Sequence, residues 1–375
     1  MVPDPERHPH AAAVLGPALA PGGSASHAYL FHGPPGSGKR EVARALAAAL
    51  LADGAEGRAG IDSVLERVAR GSHPDLTWVR PSGAAEMLVS DIEEPVVAAA
   101  TRTPFESRRR VFVIESAETM NDQAANRLLK TLEEPPSFAH LVLLTDRLAD
   151  VLPTIVSRCQ LVRFDPLAPE QIERALVEGG APVSAESARA CARLASGDSA
   201  LAARLAGEEG LALRAAAERF ARAALAGETA GRPWVELLEA ARAAGAAAGE
   251  RLGEELSAEA ELLPSKERKR HEREGLDARR RGERRARTGT LDLGLRLAEL
   301  WLRDVLCVVE GAESLLLAVD RLDALREDAG EATAVGVARA VELLGAARLS
   351  LSLNVSEELA MEAAAYEIGA AAATA

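Results

Sequence analysis

The 375-residue sequence predicts an α/β P-loop module, a mostly parallel sheet with helices on both faces, followed by an all-helical C-terminal part. Three observations predict it. The apolar run HAYLFHG (27–33) stops at glycine, and REVARALAAALLA (40–52) follows with helical spacing. Two further apolar runs, RRVFVIES (109–116) and AHLVLLT (139–145), flank a helical stretch. From about residue 166 the strand pattern vanishes and Ala, Leu, Arg and Glu take over. Strands that alternate with helices build parallel sheets, because each crossover returns over a face of the sheet as a helix.

The first element is the strand at 27–33. It leads into GPPGSGKR (33–40), one residue short of the phosphate-loop pattern G-x-x-x-x-G-K-[ST]. In such a loop, backbone N–H groups at a helix N-terminus cradle phosphate, a lysine reaches the outer phosphates and a hydroxyl ligates Mg²⁺. Gly33, Gly36, Gly38 and Lys39 supply the cradle and the charge, but Arg40 stands where the hydroxyl belongs. It has no oxygen and brings a like charge to the cation. A chance Gly-Pro turn is the ordinary alternative, and the strand, loop and helix in correct order argue against it.

The second strand ends Ile114, Glu115, Ser116. A hydrolysing site needs one carboxylate for Mg²⁺ and another to activate water. Glu115 offers the first, while Ser116 is no general base at neutral pH. Next comes NDQAANRLLKTLEE (121–134), a helix capped by Asn121 and stopped by Pro135-Pro136. The third strand follows at 139–145. Beyond it, APEQIERALVEGG, SAESARACARLAS and DSALAARLAG make three short helices, and residues 211–375 read as helix.

Composition sets bounds. A formal charge of −13 argues against nucleic acid binding over the whole surface, so any such contact is local. The segment 264–287 is the exception, with eleven Lys or Arg against five Asp or Glu. A solvated helix is the ordinary reading of such a run. A local phosphate contact is the other, and without interleaved aromatics it would not read single strands or sequence. Cys159, Cys191 and Cys307 are widely spaced, which suits a reducing compartment and a cytoplasmic location. No apolar run approaches the ~18 residues of a membrane span.

The stretch NRLLKTLEEPPSFAHLVLLTDRLADVLPTIVSRCQ (126–160) resembles the P-loop domains of the bacterial DNA polymerase III clamp-loader family. HAYLFHGPPGSGK (27–39), HPDL (73–76) and LSLNVSEELAMEA (351–363) fit the same family. The resemblance implies an AAA+ P-loop domain over 1–165, a helical lid over 166–210 and a helical collar over 211–375 that mediates oligomerisation. It also implies a place in a five-subunit ring, with motor subunits and a δ-type subunit, that sets the β sliding clamp on primed DNA. Contacts with clamp and DNA would be made through the complex, and none with a membrane.

Motor subunits of that family carry a lid arginine that reads the nucleotide; the matching position in GDSA (197–200) is Ala200. With Arg40 and Ser116, three functions are missing from one site, while Thr145 matches the family's polar sensor. The resemblance therefore implies a non-motor subunit whose loop is kept for shape, with at most weak ATP binding and no hydrolysis. Family members often hold zinc on cysteines before the His-Pro-Asp run, but 56–76 has none, so no zinc is expected and His73 is assigned a turn role. On spacing alone Arg158 is a strand-end arginine paired with a carboxylate. The Ser157-Arg158-Cys159 context instead implies an arginine finger acting on the neighbouring subunit's ATP site. An ATP-hydrolysing motor subunit of the same machine and a stand-alone P-loop regulatory protein are the alternative readings.

Overall fold

The computed structural model describes residues 7–20, 23–81, 86–261, 265–330, 332–352 and 355–374. Of the stretches read from sequence, Pro264, Leu353 and Asn354 lie outside the described residues. The chain divides into two compact units, residues up to Ile172 with Ser196–Ala200, and Glu173–Ala195 with Leu201 onward.

The first unit is the α/β P-loop module. In chain order it contains α1 (Pro9–Leu19), β1 (Ala28–His32), α2 (Lys39–Leu51), α3 (Gly57–Arg70) and β2 (Leu76–Val79). There follow α4 (Val89–Ile92), β3 (Arg110–Ile114), α5 (Asp122–Glu133), β4 (Ala139–Thr145), α6 (Pro153–Val156) and β5 (Gln160–Arg163). The five strands form one parallel sheet in the order β2-β3-β4-β1-β5. Ala28 pairs with Leu141 and His32 with Thr145, so the C-terminal ends of β1 and β4 come level. Ligands of open parallel sheets bind at that edge.

Period-two alternation sorts the strand residues onto two faces. Leu30, Phe112, Ile114, Leu141 and Leu143 point to one side and pack with Ile92, Leu128, Leu132 and Ile155 from α4, α5 and α6. Tyr29, Phe31, Val113, Val142 and Leu144 point to the other and meet Leu15, Leu46, Leu50, Val64 and Val68 from α1, α2 and α3. Helices thus cover both faces. Every residue of β4 is buried, so AHLVLLT is almost continuously apolar rather than alternating. Asn121 caps α5 as its sequence position predicts, its Oδ1 accepting the Ala124 N–H at 2.9 Å.

Within the cysteine-free stretch 56–76, residues Gly57–Arg70 form α3, ended by left-handed Gly71. Beyond it, His73 Nδ1 accepts the Asp75 N–H at 3.2 Å, closing the turn before β2. Asp75 is fully buried and accepts N–H bonds from Phe105, Glu106 and Ser107 at 2.6–3.0 Å. The His-Pro-Asp run is therefore a clamp on the 105–107 loop.

The second unit is helical. It holds most of α7 (Pro169–Glu178), then α8 (Ala185–Leu194) and most of α9 (Ser199–Ala206). The longer helices follow: α10 (Glu208–Leu225), α11 (Val235–Glu261), α12 (Ser265–Val309), α13 (Leu322–Gly330), α14 (Ala334–Ser352) and α15 (Glu357–Thr374). Leu213 and Phe220 of α10, Leu295 and Leu302 of α12, Leu344 of α14 and Ile368 of α15 are buried. Burying each such side chain contributes about 1.5–3 kcal/mol. No helix among the described residues is long and apolar enough to cross a membrane.

Candidate functional site

The loop between β1 and α2 lies at the C-terminal edge of the sheet. Gly36 and Gly38 have φ of 66° and 85°, a left-handed backbone that favours glycine. Close approach excludes a side chain as well. A Cβ on Gly36 would lie 1.9 Å from Asp198 Oδ1, and one on Gly38 2.7 Å from His8 Nε2. His8 is held there by its ring contact with Phe164, centroids 5.3 Å apart. Gly33, with φ of 154°, lies against the Phe164 carbonyl, and its N–H donates to the Thr145 carbonyl at 3.3 Å.

Lys39 is buried and turned back into its own loop. Its Nζ donates to the carbonyls of Gly33 and Pro34 at 2.6 and 2.7 Å and pairs with Asp146 Oδ1 at 2.8 Å. The ammonium's three protons are thus spoken for. Thr145 is buried at the end of β4, and its Oγ1 accepts the Arg147 N–H at 3.1 Å. Ser199 closes the opposite side, donating from both N–H and hydroxyl to the Gly36 carbonyl at 3.2 Å.

Arg40 and Glu115 meet directly. Arg40 Nη2 is 2.6 Å from Glu115 Oε2, while Glu115 Oε1 accepts from Trp78 Nε1 at 2.6 Å and Arg80 Nε at 3.2 Å. The Glu115 side chain is 4 % exposed. A buried carboxylate is tolerated only when its charge is offset and its lone pairs are used. Here two guanidiniums and an indole do both. Ser116 adopts a left-handed φ of 55°, and its carbonyl accepts the Thr119 N–H at 2.9 Å.

Gly36, Gly38, Lys39, Arg40, Glu115 and Ser116, with Thr145, Asp146, Asp198 and Ala200, line a cleft of about 150 Å³. A ligand pocket is usually of the order of ~300 Å³ or more. Glu115 is unsuited to hold Mg²⁺, because both its oxygens are committed to nitrogen donors. A triphosphate does not fit either while Asp198 lies against Gly36 and Lys39 faces its own loop. Among the described residues no cluster of His, Cys, Asp and Glu could hold a metal ion.

Arg158 stands apart from this cleft, in the turn between α6 and β5. Its Nη2 pairs with Glu133 Oε1 at 2.6 Å, and Nη1 donates to the Thr154 carbonyl at 3.0 Å and to Ser157 Oγ at 3.3 Å. The Ser157 hydroxyl donates to the same Thr154 carbonyl at 3.1 Å. Cys159 packs against the core on the α5 face, and burial pushes its thiol up to about 12. The structure therefore gathers Gly33, Gly36, Gly38, Lys39, Arg40, Glu115, Ser116, Thr145 and Ala200 around one loop and leaves 157–159 elsewhere. Sequence reasoning missed Trp78, Arg80, Glu133, Asp146 and Asp198. Asp146 follows Thr145 directly and carried a local signal; the others are brought in by the fold alone.

Residues 9–168 match the family model described as DNA polymerase III, delta subunit. The delta′ subunit of Bacillus subtilis (strain 168) is 39% identical over 157 residues, 41% of this chain and 46% of that protein. The delta′ subunit of Pseudomonas aeruginosa is 40% identical over 136 residues, 36% of this chain and 42% of that one. A gamma-subunit-related protein of Thermotoga maritima aligns at 18% identity with a TM-score of 0.44, covering 92% of this chain and 95% of that one. The chain spans about half the length of the curated relatives it matches. Residues 9–168 thus match the DNA polymerase III delta-subunit family model, and over this part the chain is similar to the delta′ subunits.

Proposed function

We propose that this chain is a non-motor subunit of the DNA polymerase III clamp loader. In this reading it scaffolds the ring that loads the β sliding clamp on primed DNA in the cytoplasm. It also presents Arg158 to the ATP site of a neighbouring motor subunit. The lid (166–210) and collar (211–375) hold it in a ring with motor and δ-type subunits, and it meets clamp and DNA through them. The observation that carries the reading is the Arg40–Glu115 pair. A guanidinium stands where a motor subunit places its cation, on the Glu115 carboxylate that follows β3. The loop's carbonyls accept bonds from Lys39 and Ser199, which hold its folded shape.

Arg158 supplies the remaining function. Guanidinium is planar, permanently charged and forked, which suits it to offset charge on a transferring phosphoryl group. In the isolated chain that fork rests on Glu133, a half-exposed pair worth about 0–1 kcal/mol. So small a hold is readily exchanged for a phosphate. Two measurements test the proposal. ATP turnover by the isolated chain in Mg²⁺ should be negligible, and a rate near ~1 s⁻¹ would make it a motor subunit. Mixed with clamp-loader motor and δ-type subunits, the chain should co-elute as one complex; elution alone would leave a stand-alone regulatory protein.

A further inference from the structure

The basic segment has no part in the nucleotide cleft. It forms the first half of α12, which lies along α11 within the second unit. Three glycines of α11 make the approach close. A Cβ on Gly245 would lie 3.1 Å from Arg287 Cβ, and one on Gly249 or Gly253 3.6 Å from the Arg279 guanidinium. The α12 residues at 279, 283 and 287 therefore rest on the glycine stripe. One residue on, about 100° round the helix, Arg280 and Arg284 line an open cleft of about 510 Å³ whose other walls are α11, with Arg242, and the start of α15.

The charges in this cleft are unevenly used. Of its three carboxylates, Glu357 pairs with Arg287, Glu358 with Arg232 from outside the cleft, and Glu283 lies against Gly249 of α11. Elsewhere in the second unit arginines find carboxylates, as Arg214 does in Asp320 and Arg348 in Asp292 and Glu299. Arg242 and Arg280 make no ion pair or side-chain hydrogen bond with any described residue. Both are exposed, on opposite walls of one cleft, in a chain whose carboxylates outnumber its cations. Like charges held together repel unless a shared counter-ion spans them.

We propose that the cleft between α11, α12 and the start of α15 binds the phosphodiester backbone of nucleic acid, with Arg242 and Arg280 as its phosphate ligands. Forked guanidiniums match phosphate oxygens two at a time. Arg280 to Arg287 spans about 10 Å of helix, near three nucleotide steps of a strand at ~3.4 Å each. The lining has no aromatic side chain to stack a base, so recognition is of backbone and independent of sequence.

The site does not depend on the clamp-loader role, and the isolated full chain tests it. Fluorescence anisotropy with a labelled 20-base-pair DNA is followed from low to moderate salt. Binding should be equal for two unrelated sequences. Arg242→Gln/Arg280→Gln should weaken it about tenfold and flatten the slope of log K against log salt by about 0.9 per arginine. Arg251→Gln, an exposed α11 arginine outside the cleft, should change neither. No DNA binding by the wild-type chain overturns the proposal. So does a double variant with unchanged slope, an equal effect from Arg251→Gln, or polyglutamate competing as well as DNA at equal charge, which would mark the cleft as a site for acidic peptide. Matching melting curves of the variants exclude unfolding as the cause.

Discussion

Arg40 Nη2 stands 2.6 Å from Glu115 Oε2 and leaves that carboxylate no open oxygen, because Trp78 and Arg80 hold the other one. The single substitution at Arg40 thus has two consequences. Arginine in place of the hydroxyl residue removes a metal ligand and neutralises the buried acid that the metal would have neutralised.

Arg40→Thr restores the loop pattern but should not restore ATP hydrolysis. Ser116 still offers no base to activate water, and its left-handed φ of 55° disfavours a bulkier acidic side chain there. Phosphate release in Mg²⁺ should stay at background. The same variant should be destabilised by about 1 kcal/mol, because Glu115 stays buried with one partner fewer while Arg40 itself is 66 % exposed. Denaturant titration reads that loss; a stability equal to wild type would show that the pair carries nothing.

Asp75→Ala should cost more, about 3 kcal/mol. It removes charge-assisted bonds to three consecutive N–H groups and empties a fully buried site. Burial alone would push Asp75 up, but the N–H bonds from 105–107 outweigh it and hold the carboxyl below its usual value. A depressed folded value means the contribution is present above the unfolded carboxylate range and is lost as pH falls below it. Wild-type stability should therefore fall in acid more steeply than that of Asp75→Asn, as measured by urea midpoints between pH 6 and 3.

The strands and caps were largely legible in the sequence, and the contacts that close the site were not. AHLVLLT reads as a strand because burial on both faces makes it apolar throughout. The Asn121 cap is local and so is visible. The strands β2 and β5 escape, being four residues each at the sheet edges with partly exposed residues such as Leu76 and Leu161. The Arg40–Glu115 pair and the approach of Asp198 to Gly36 join residues far apart in sequence, and neither side carries a periodic signal. The loop pattern marked where the site is; only the packed fold shows what fills it.

Cys159 should be nearly inert toward thiol reagents in the folded chain. Burial pushes it up to about 12, so at pH 8 its thiolate fraction is about 10⁻⁴, against roughly a quarter for a free cysteine. Mass-spectrometric footprinting with N-ethylmaleimide should show modification rising by about 10³-fold on unfolding. The raised value also sets a sign. Stability from the neutral thiol is complete below its unfolded value and is lost as pH climbs from about 9 toward 12. Cys159→Ala should flatten that alkaline decline, and rapid labelling of Cys159 in the folded chain at pH 8 would refute the buried thiol.

Arg158 provides the most direct test of the proposed role. In the isolated chain it pairs with Glu133, and both side chains are partly exposed, 35 % and 50 %. Arg158→Ala should thus change the chain's own stability by about 1 kcal/mol or less. Within an assembled loader the same change should lower ATP hydrolysis and clamp-loading rates. The fall should be partial, since one site faces this subunit and the others keep their own arginines. Arg158→Lys should rescue poorly, because a point charge cannot reproduce the forked donor set. Glu133→Gln separates the two roles. It breaks the resting ion pair, so a purely structural arginine would make it resemble Arg158→Ala, whereas a trans-acting one would leave the assembled rate intact or raise it. The measurement is steady-state hydrolysis with clamp and primed DNA present, at equal assembly for every variant. An unchanged rate with Arg158→Ala in a fully assembled complex would return this residue to its pairing with Glu133 and nothing more.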